Sequence, residues 1–426
     1  MSERIYRDSV HNIIRLKTDT KEGRLLVGLV DTPEFQRLRR IRQLGLAYFA
    51  YQSAEHSRFT HSLGALHLAS RILAKLDLSY KIPEEAKTAV KAAALLHDIG
   101  HGPFSHVIET IFGFHHEDFT IEAVLSGETG VGQALRKYSP RLADDVADII
   151  RGTFRPMALA QLVSSQLDVD RMDYLLRDSL MTGAKYGIFD LEWIIKSIEI
   201  NEENDHIYVS GNGIYAVEDY LQARYYMFRQ VYFHRTLRSA ESVLQSLLRR
   251  AVYLFQKGEP IWFARGTAFE RILMGKKLLL KEHLELDDTD VIFHIKQWQT
   301  SPDPVLSDLS RRFMDRRLFK AFDLDMPEEE RKEFLREARK IVGEAGFDTD
   351  HYFLEDAAGD VPYYFYTRND AKPKELIYVE EGFSRARIRE ISEVSPAVRG
   401  LQKGYQIHRV CFPAELRDEI ARLYHG

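Results

Sequence analysis

From about Arg24 to Gly258, apolar residues recur at the three- and four-residue spacings of amphipathic helices. HSLGALHLASRILAKL (61–76), EEAKTAVKAAALLHDIG (84–100) and SSQLDVDRMDYLLRDSL (164–180) each carry an apolar stripe. Residues 217–255 are long enough for one extended helix or two. In TPEFQRLRRIRQL (32–44), Thr32 serves as an N-cap and Pro33 takes the first helical position, where a missing N–H is harmless. Residues 4–17 alternate loosely and carry β-branched side chains, which reads as a short strand or hairpin. A second hairpin-like interruption, 204–219, has Gly211 and Gly213 as turn residues. Beyond about Pro260 the character changes. The helical stretch PEEERKEFLREARKIVGEAG alternates with the strand-like runs HYFLE, PYYFYTR, ELIYVE and YQIHRVCF. The expected fold is mostly α. A helical core with a small N-terminal β element spans 1–260, and an α+β region for assembly and regulation spans 261–426. No internal repeat or low-complexity tract interrupts this pattern.

Composition narrows the class. At 426 residues and 45 % hydrophobic, the chain has ample material for a large core. A net charge of -5 gives no general reason to bind nucleic acid or a membrane surface, although a local basic pocket can still hold a nucleotide. With Cys411 as the lone cysteine, an intramolecular disulfide is impossible, which fits a reducing cytoplasm. The N-terminus has no apolar signal core, and no stretch approaches the roughly 20 apolar residues that span a bilayer. The expectation is a soluble cytoplasmic protein.

One segment concentrates chemistry. AAALLHDIGHGPFSH delivers His97 and Asp98 from the end of an apolar helix that Gly100, Gly102 and Pro103 then break. His101 and His106 follow within ten residues. An HD pair alone is a weak signal in a chain with 16 histidines. A single histidine on an apolar helix is more often a hydrogen-bonded core residue than a ligand. Two other places strengthen the metal reading. His61 sits in SRFTHSLG, and Asp168, Asp170, Asp173 and Asp178 crowd one mostly apolar helix, which is costly unless a cation or basic pocket compensates. The order H…HD…D supplies four ligands: His61, His97, Asp98 and Asp170. Imidazole with carboxylate oxygen suits a divalent Mg, Mn, Fe or Zn.

Six stretches in order, DTPEFQRLRRIRQLG, HSRFTHSLG, LLHDIGHGPFSH, HHEDF, LDVDRMDYLLRD and ARYYMFRQVYFHR, resemble the HD-domain dNTP triphosphohydrolases. That group includes the mammalian sterile-alpha-motif/HD-domain restriction enzyme and bacterial relatives. The likeness covers roughly residues 1–260, and a weaker match, RRLFK, extends it to 316–320. It implies an HD-domain core with the same four metal ligands. It implies catalytic roles for His101 and His116, an acidic partner at Glu109 where relatives can carry Asp, and contact of His106 with phosphates or the attacking water. Arg58, Arg171 and Arg224 would meet the triphosphate charge. Gln43, Leu44, Asp178 and Tyr232 would select the sugar, with Tyr174 stacked on it. Asp170, Tyr174 and Asp178 stand at i, i+4 and i+8, so one helix face can present all three.

The implied reaction releases a deoxynucleoside and intact triphosphate from a dNTP. The resemblance also implies a homo-oligomer, dimer or tetramer, activated by a guanine nucleotide at Asp31, Gln36, Arg39, Arg316 and Lys320. Two positions depart from the mammalian pattern: Arg7 replaces an Asn and Ile13 replaces a His. Two other readings use the same residues. An HD phosphodiesterase or nucleotidase acting on another phosphorylated nucleotide would need the same metal set. A non-catalytic nucleotide-sensing scaffold would not need the catalytic histidines.

Overall fold

The computed structural model describes residues 2–113, 115–360, 376–382, 387–401 and 405–425. The chain opens with an antiparallel hairpin, β1 (Glu3–Asp8) and β2 (Asn12–Lys17). Helices α1 (Lys21–Val30) and α2 (Pro33–Arg37) follow. Thr32 caps α2 through Oγ1, which accepts from Phe35 N, and Pro33 opens the helix. Next come α3 (Arg58–Leu76) and α4 (Glu84–Leu96), which ends in the glycine-broken loop. Short helices α5 (Ser105–Phe112), α6 (His116–Leu125), α7 (Gly130–Tyr138), α8 (Leu142–Arg151) and α9 (Met157–Ala160) lead into α10 (Val169–Thr182). After α11 (Leu191–Ser197), the expected interruption is β3 (Ile198–Asn201) and β4 (His206–Val209). The stretch 217–255 forms two helices, α12 (Ile214–Met227) and α13 (Arg235–Lys257), separated by a π turn at Phe228–Tyr232.

The C-terminal region mixes α14 (Ala268–Leu273), α15 (Leu280–Glu285), α16 (Asp288–Trp298), α17 (Pro304–Met314) and α18 (Glu328–Glu344) with strands. These strands are β5 (Lys320–Asp323), β6 (Leu354–Asp360), β7 (Tyr378–Glu381), β8 (Arg387–Glu390) and β9 (Tyr405–Phe412). They form an antiparallel sheet β5-β9-β6 and complete a mixed sheet β3-β4-β7-β8, in which β4 and β7 run parallel. The run PYYFYTR lies outside the described residues.

Two apolar cores carry the molecule, and each draws on residues from both sides of residue 260. The first packs α1, α3, α4, α8 and α10–α12 around side chains such as Leu66, Leu95, Met172 and Tyr220, and takes in Ile377 and Val379 of the C-terminal region. The second surrounds α13 with α14, α16, α17 and the β5-β9-β6 sheet, and takes in Leu46, Phe49, Phe104 and Ile108 from the N-terminal half. Arg37 ties the regions together. Fully buried, its guanidinium donates to the carbonyls of Ile99 and His101 and to those of Leu286 and His283. Four carbonyl partners meet the hydrogen-bond demand of a buried cation, although burial still pulls its pKa down to about 10. Cys411 is buried in the second core, and burial pushes its thiol up to about 11. Among the described residues no helix is long and apolar enough to cross a membrane.

Candidate metal centre and nucleotide cavity

Helix α3 brings His61, α4 ends at His97–Asp98, and the first turn of α10 brings Asp170. The hydrogen bonds behind the two imidazoles decide what they present forward. His61 Nδ1 lies 2.8 Å from Asp173 Oδ2, and His97 Nδ1 lies 2.9 Å from the Ala94 carbonyl. Both partners only accept, so each ring carries its hydrogen on Nδ1 and turns an Nε2 lone pair inward. These two Nε2 atoms stand 3.2 Å apart. Asp170 Oδ1 is 3.0 Å from the first and 3.5 Å from the second, and Asp98 Oδ1 is 3.4 Å from His97 Nε2. Lone pairs of His61, His97 and Asp170 thus converge on one point with Asp98 beside them, a donor set that fits a divalent cation.

Without a cation, these carboxylates draw a proton to the same point. Burial alone would lower the His61 pKa, but Asp170 and Asp173 outweigh it and push it up to about 10, and a divalent cation would take the place of that proton on Nε2. For Asp98, burial opposes ionisation, yet Arg58, His97 and His101 hold it well below the usual carboxylate range. Asp170 is held low against the same burial cost by His61 and His97.

Behind His61 lies a buried network the sequence did not announce. Asp173 accepts from His61 and from His11 Nε2 at 2.7 Å, and both its oxygens accept from Arg177 at 2.8 and 2.9 Å. Arg177 reaches on to Asp8, so the tip of the β1–β2 hairpin closes the rear of the centre. The Asp173–Arg177 spacing of i, i+4 on an apolar helix was a usable signal. Its partners Asp8 and His11 were not, because they lie more than 160 residues away in sequence.

A second cluster adjoins the first. The His101 and His116 rings stack at 3.7 Å, Glu109 Oε1 is 3.0 Å from His116 Nδ1, and His101 Nε2 is 3.2 Å from Asp98 Oδ1. Gly100 permits this. A Cβ there would stand 2.2 Å from the His116 carbonyl and 2.3 Å from Thr120 N. Burial first, and then the Arg58 charge, keep His101 neutral, with its pKa well below the ordinary imidazole value. The His106 side chain lies outside the described residues.

These groups open into a cavity of about 570 Å³, a size that suits a nucleotide. Its wall takes in Gln43, Leu44, Arg58, His97, Asp98, His101, His116, Asp170, Arg171, Tyr174, Asp178 and Tyr232. Arg224 stands behind that wall and donates to Gln166 Oε1. Arg58 is paired with Asp98 and Arg171 with Asp168, each through Nη1. Yet the Nε atoms of Arg58, Arg171 and Arg224 are buried with no partner among the described residues. Tyr232 donates to Asp178 Oδ2 at 2.8 Å, and the Tyr174 and Tyr232 rings meet edge to face at 6.2 Å. The cavity lies at the seam of the two cores. Its lining also includes Leu46, Phe104, Val107, Phe233 and Leu237, together with the ion pair Arg238–Glu241, which the sequence did not mark.

Among the described residues, the five expected effector residues fall into two separate places. Asp31 pairs with Arg4, Gln36 donates to the Val30 carbonyl, and Arg39 donates to Gln36 and stacks on Phe59. Arg316 and Lys320 instead line a separate basic cavity of about 770 Å³ with Arg229, Arg235, Arg409 and Arg417.

Similarity to known proteins points the same way. Residues 58–178 match the HD-domain family model. YwfO of Bacillus subtilis, described as uncharacterized, is 39% identical over 97% of this chain and 93% of its own length. SAMHD1 of Gallus gallus, named as a deoxynucleoside triphosphate triphosphohydrolase, is 29% identical over 66% of this chain and 51% of its own. A crystal structure of a phosphohydrolase from Bacteroides thetaiotaomicron matches with a TM-score of 0.82 at 30% identity, over 96% of this chain and 100% of that one.

Proposed function

The chain belongs to the HD-domain phosphohydrolases, a family that uses divalent metals, and we propose that it is a dNTP triphosphohydrolase that releases a deoxynucleoside and intact triphosphate. One observation supports this most. The cavity with the converging lone pairs is flanked by buried arginine Nε groups that have no partner among the described residues, and it is lined by the Asp178–Tyr232 pair. A triphosphate needs cations along its length, and a sugar hydroxyl needs a fixed acceptor.

A divalent cation held by His61, His97, Asp98 and Asp170 would supply an acidified water and draw charge from the α-phosphoryl group. The chain's own residues do the rest. Arg58 and Arg171 bind the phosphates, with Arg224 behind them. Tyr174 packs on the sugar. Asp178 accepts from its 3′-OH, and Gln43 and Leu44 close the space beside C2′, where a ribose 2′-OH would clash. Water attacks the α-phosphorus, the bond from it to the 5′-oxygen breaks, and the 5′-oxygen takes a proton. His116, held at Nδ1 by Glu109 and stacked on neutral His101, is the group to deliver that proton. SAMHD1 bears the dNTP triphosphohydrolase name, which also supports the substrate class.

Regulation is part of the same reading. A guanine nucleotide would bridge Asp31, Gln36 and Arg39 of one copy and Arg316 and Lys320 of another, which requires a homo-oligomer. The test is a panel of dNTPs and NTPs with Mg or Mn, with and without GTP or dGTP, and products separated by chromatography. Deoxynucleoside plus triphosphate, stimulated by a guanine nucleotide, is expected. Monophosphate plus pyrophosphate, or no turnover under any condition, would overturn the assignment.

A further inference from the structure

Asp178 is the group that would accept from the substrate's 3′-OH, and its carboxylate is pinned from two sides. Tyr232 donates to Oδ2 from the cavity face at 2.8 Å. His56 meets Oδ1 through Nε2, also at 2.8 Å. A carboxylate only accepts, so His56 Nε2 carries the hydrogen. With one donor on each oxygen the carboxylate cannot rotate about its Cβ–Cγ bond without losing a bond. Each oxygen keeps a further lone pair for a ligand.

His56 is buried, 8 % exposed, and stands behind the cavity wall rather than on it. Its backbone does a second job. The His56 carbonyl accepts from Gln43 N at 2.9 Å, beside an antiparallel bridge between Arg42 and Ser57. Gln43 also lines the cavity, and its Oε1 is buried with no partner among the described residues. One residue therefore braces two separate stretches of the cavity lining. Its side chain holds Asp178 on α10, and its carbonyl holds the segment that carries Gln43 and Leu44.

We propose that His56 is a positioning residue whose bond to Asp178 sets the selectivity of the cavity for a nucleotide with a free 3′-hydroxyl. The proposal rests on the dNTP reading above. His56 acts through Asp178 and touches no substrate atom. Loosening it leaves a wandering acceptor, which costs the hydroxyl bond but not the phosphate contacts. A misplacement of about 1 Å is worth on the order of a hundredfold in such sites.

The test compares a dNTP with the matching 2′,3′-dideoxynucleoside triphosphate on wild type, His56→Phe and His56→Gln. The readout is the ratio of kcat/KM values, with kcat and KM reported separately. Wild type is expected to prefer the dNTP strongly. His56→Phe keeps the volume and removes the donor, so the ratio should fall at least about tenfold, mainly through KM. His56→Gln can place an amide N–H near the former Nε2 and should restore much of the ratio. If His56→Phe does not fold, His56→Asn, too short to reach Asp178, carries the same readout. Equal losses on both substrates, leaving the ratio unchanged, would overturn the positioning role while the dNTP reading stands. A wild type that turns over dNTPs without preferring them to the dideoxy analogue would overturn the role of Asp178 as well. A wild type inactive on every dNTP would overturn both the function and the inference.

Discussion

At the residue scale, His97 and Glu241 sit on the same cavity in opposite situations. His97 turns a lone pair toward three other donors, so a cation should bind there and stabilise the folded state by mass action. Added Mn²⁺ should therefore raise the Tm of the wild-type protein. His97→Ala should keep the helical circular-dichroism signature, lose the metal-dependent rise in Tm and lose turnover. A variant with the full rise would contradict the ligand assignment. Glu241 is four-fifths buried beside Arg238, and burial, aided by Asp356 and opposed by Arg238, lifts its pKa to about 7. Its folded pKa is raised, so its stabilising contribution is complete below about 4.5 and lost as pH rises through about 7. Glu241→Gln mimics the protonated form. In denaturant titrations it should stabilise the protein relative to wild type at about pH 8, by on the order of 1–3 kcal/mol, and make little difference at about pH 5. Equal effects at both pH values would show that Glu241 does not titrate in this range. His97, Asp98 and His101 were legible because they crowd one glycine-broken segment, and His61 and Asp170 because each stands in a polar stretch of an otherwise apolar helix. His56 was not legible, because its meaning lies in Asp178, 122 positions away.

At the element scale, the centre depends on how closely α3 and α10 approach. Gly64 of α3 faces Asp173 and Arg177, and a Cβ there would stand 1.8 Å from Asp173 Oδ1 and 2.5 Å from Arg177 Nη2. Gly64→Ala must push α3 from α10, at a cost of about 1–3 kcal/mol or more. Because the two helices carry His61 and Asp170, metal affinity should fall with stability. Gly28 is exposed within α1, and a Cβ there would meet nothing within 4 Å, so Gly28→Ala should stabilise by about 0.5–1 kcal/mol. Denaturant titration and metal titration of both variants test the contrast. Loss of metal affinity in neither, or an equal stability change in both, would refute it. The stripe Asp170–Tyr174–Asp178 was legible from helical spacing, and all three do line the cavity. The break between α12 and α13 was not, since residues 228–234 contain neither Gly nor Pro and the chain turns there through a π turn.

At the scale of the whole molecule, periodicity told which side chains are buried but not against what. The pattern changes near residue 260, yet the second core joins Leu46 and Phe104 to Trp298 and Phe412, and Arg37 binds carbonyls at Leu286 and His283. Those contacts are long-range, so no local signal could carry them. They also place the cavity at the seam of the two cores, where Leu237, Arg238 and Glu241 of α13 share its lining with residues of α3, α4 and α10. In the proposed dNTP reading, the arginines hold the triphosphate and Asp178 holds the sugar, and this placement selects the bond from the α-phosphorus to the 5′-oxygen. The most direct measurement is turnover of a dNTP in heavy-oxygen water, with the label followed by mass spectrometry. Attack on the α-phosphorus predicts one labelled oxygen in the released triphosphate and none in the deoxynucleoside. Label in the deoxynucleoside, in a nucleoside monophosphate or in free orthophosphate would contradict it.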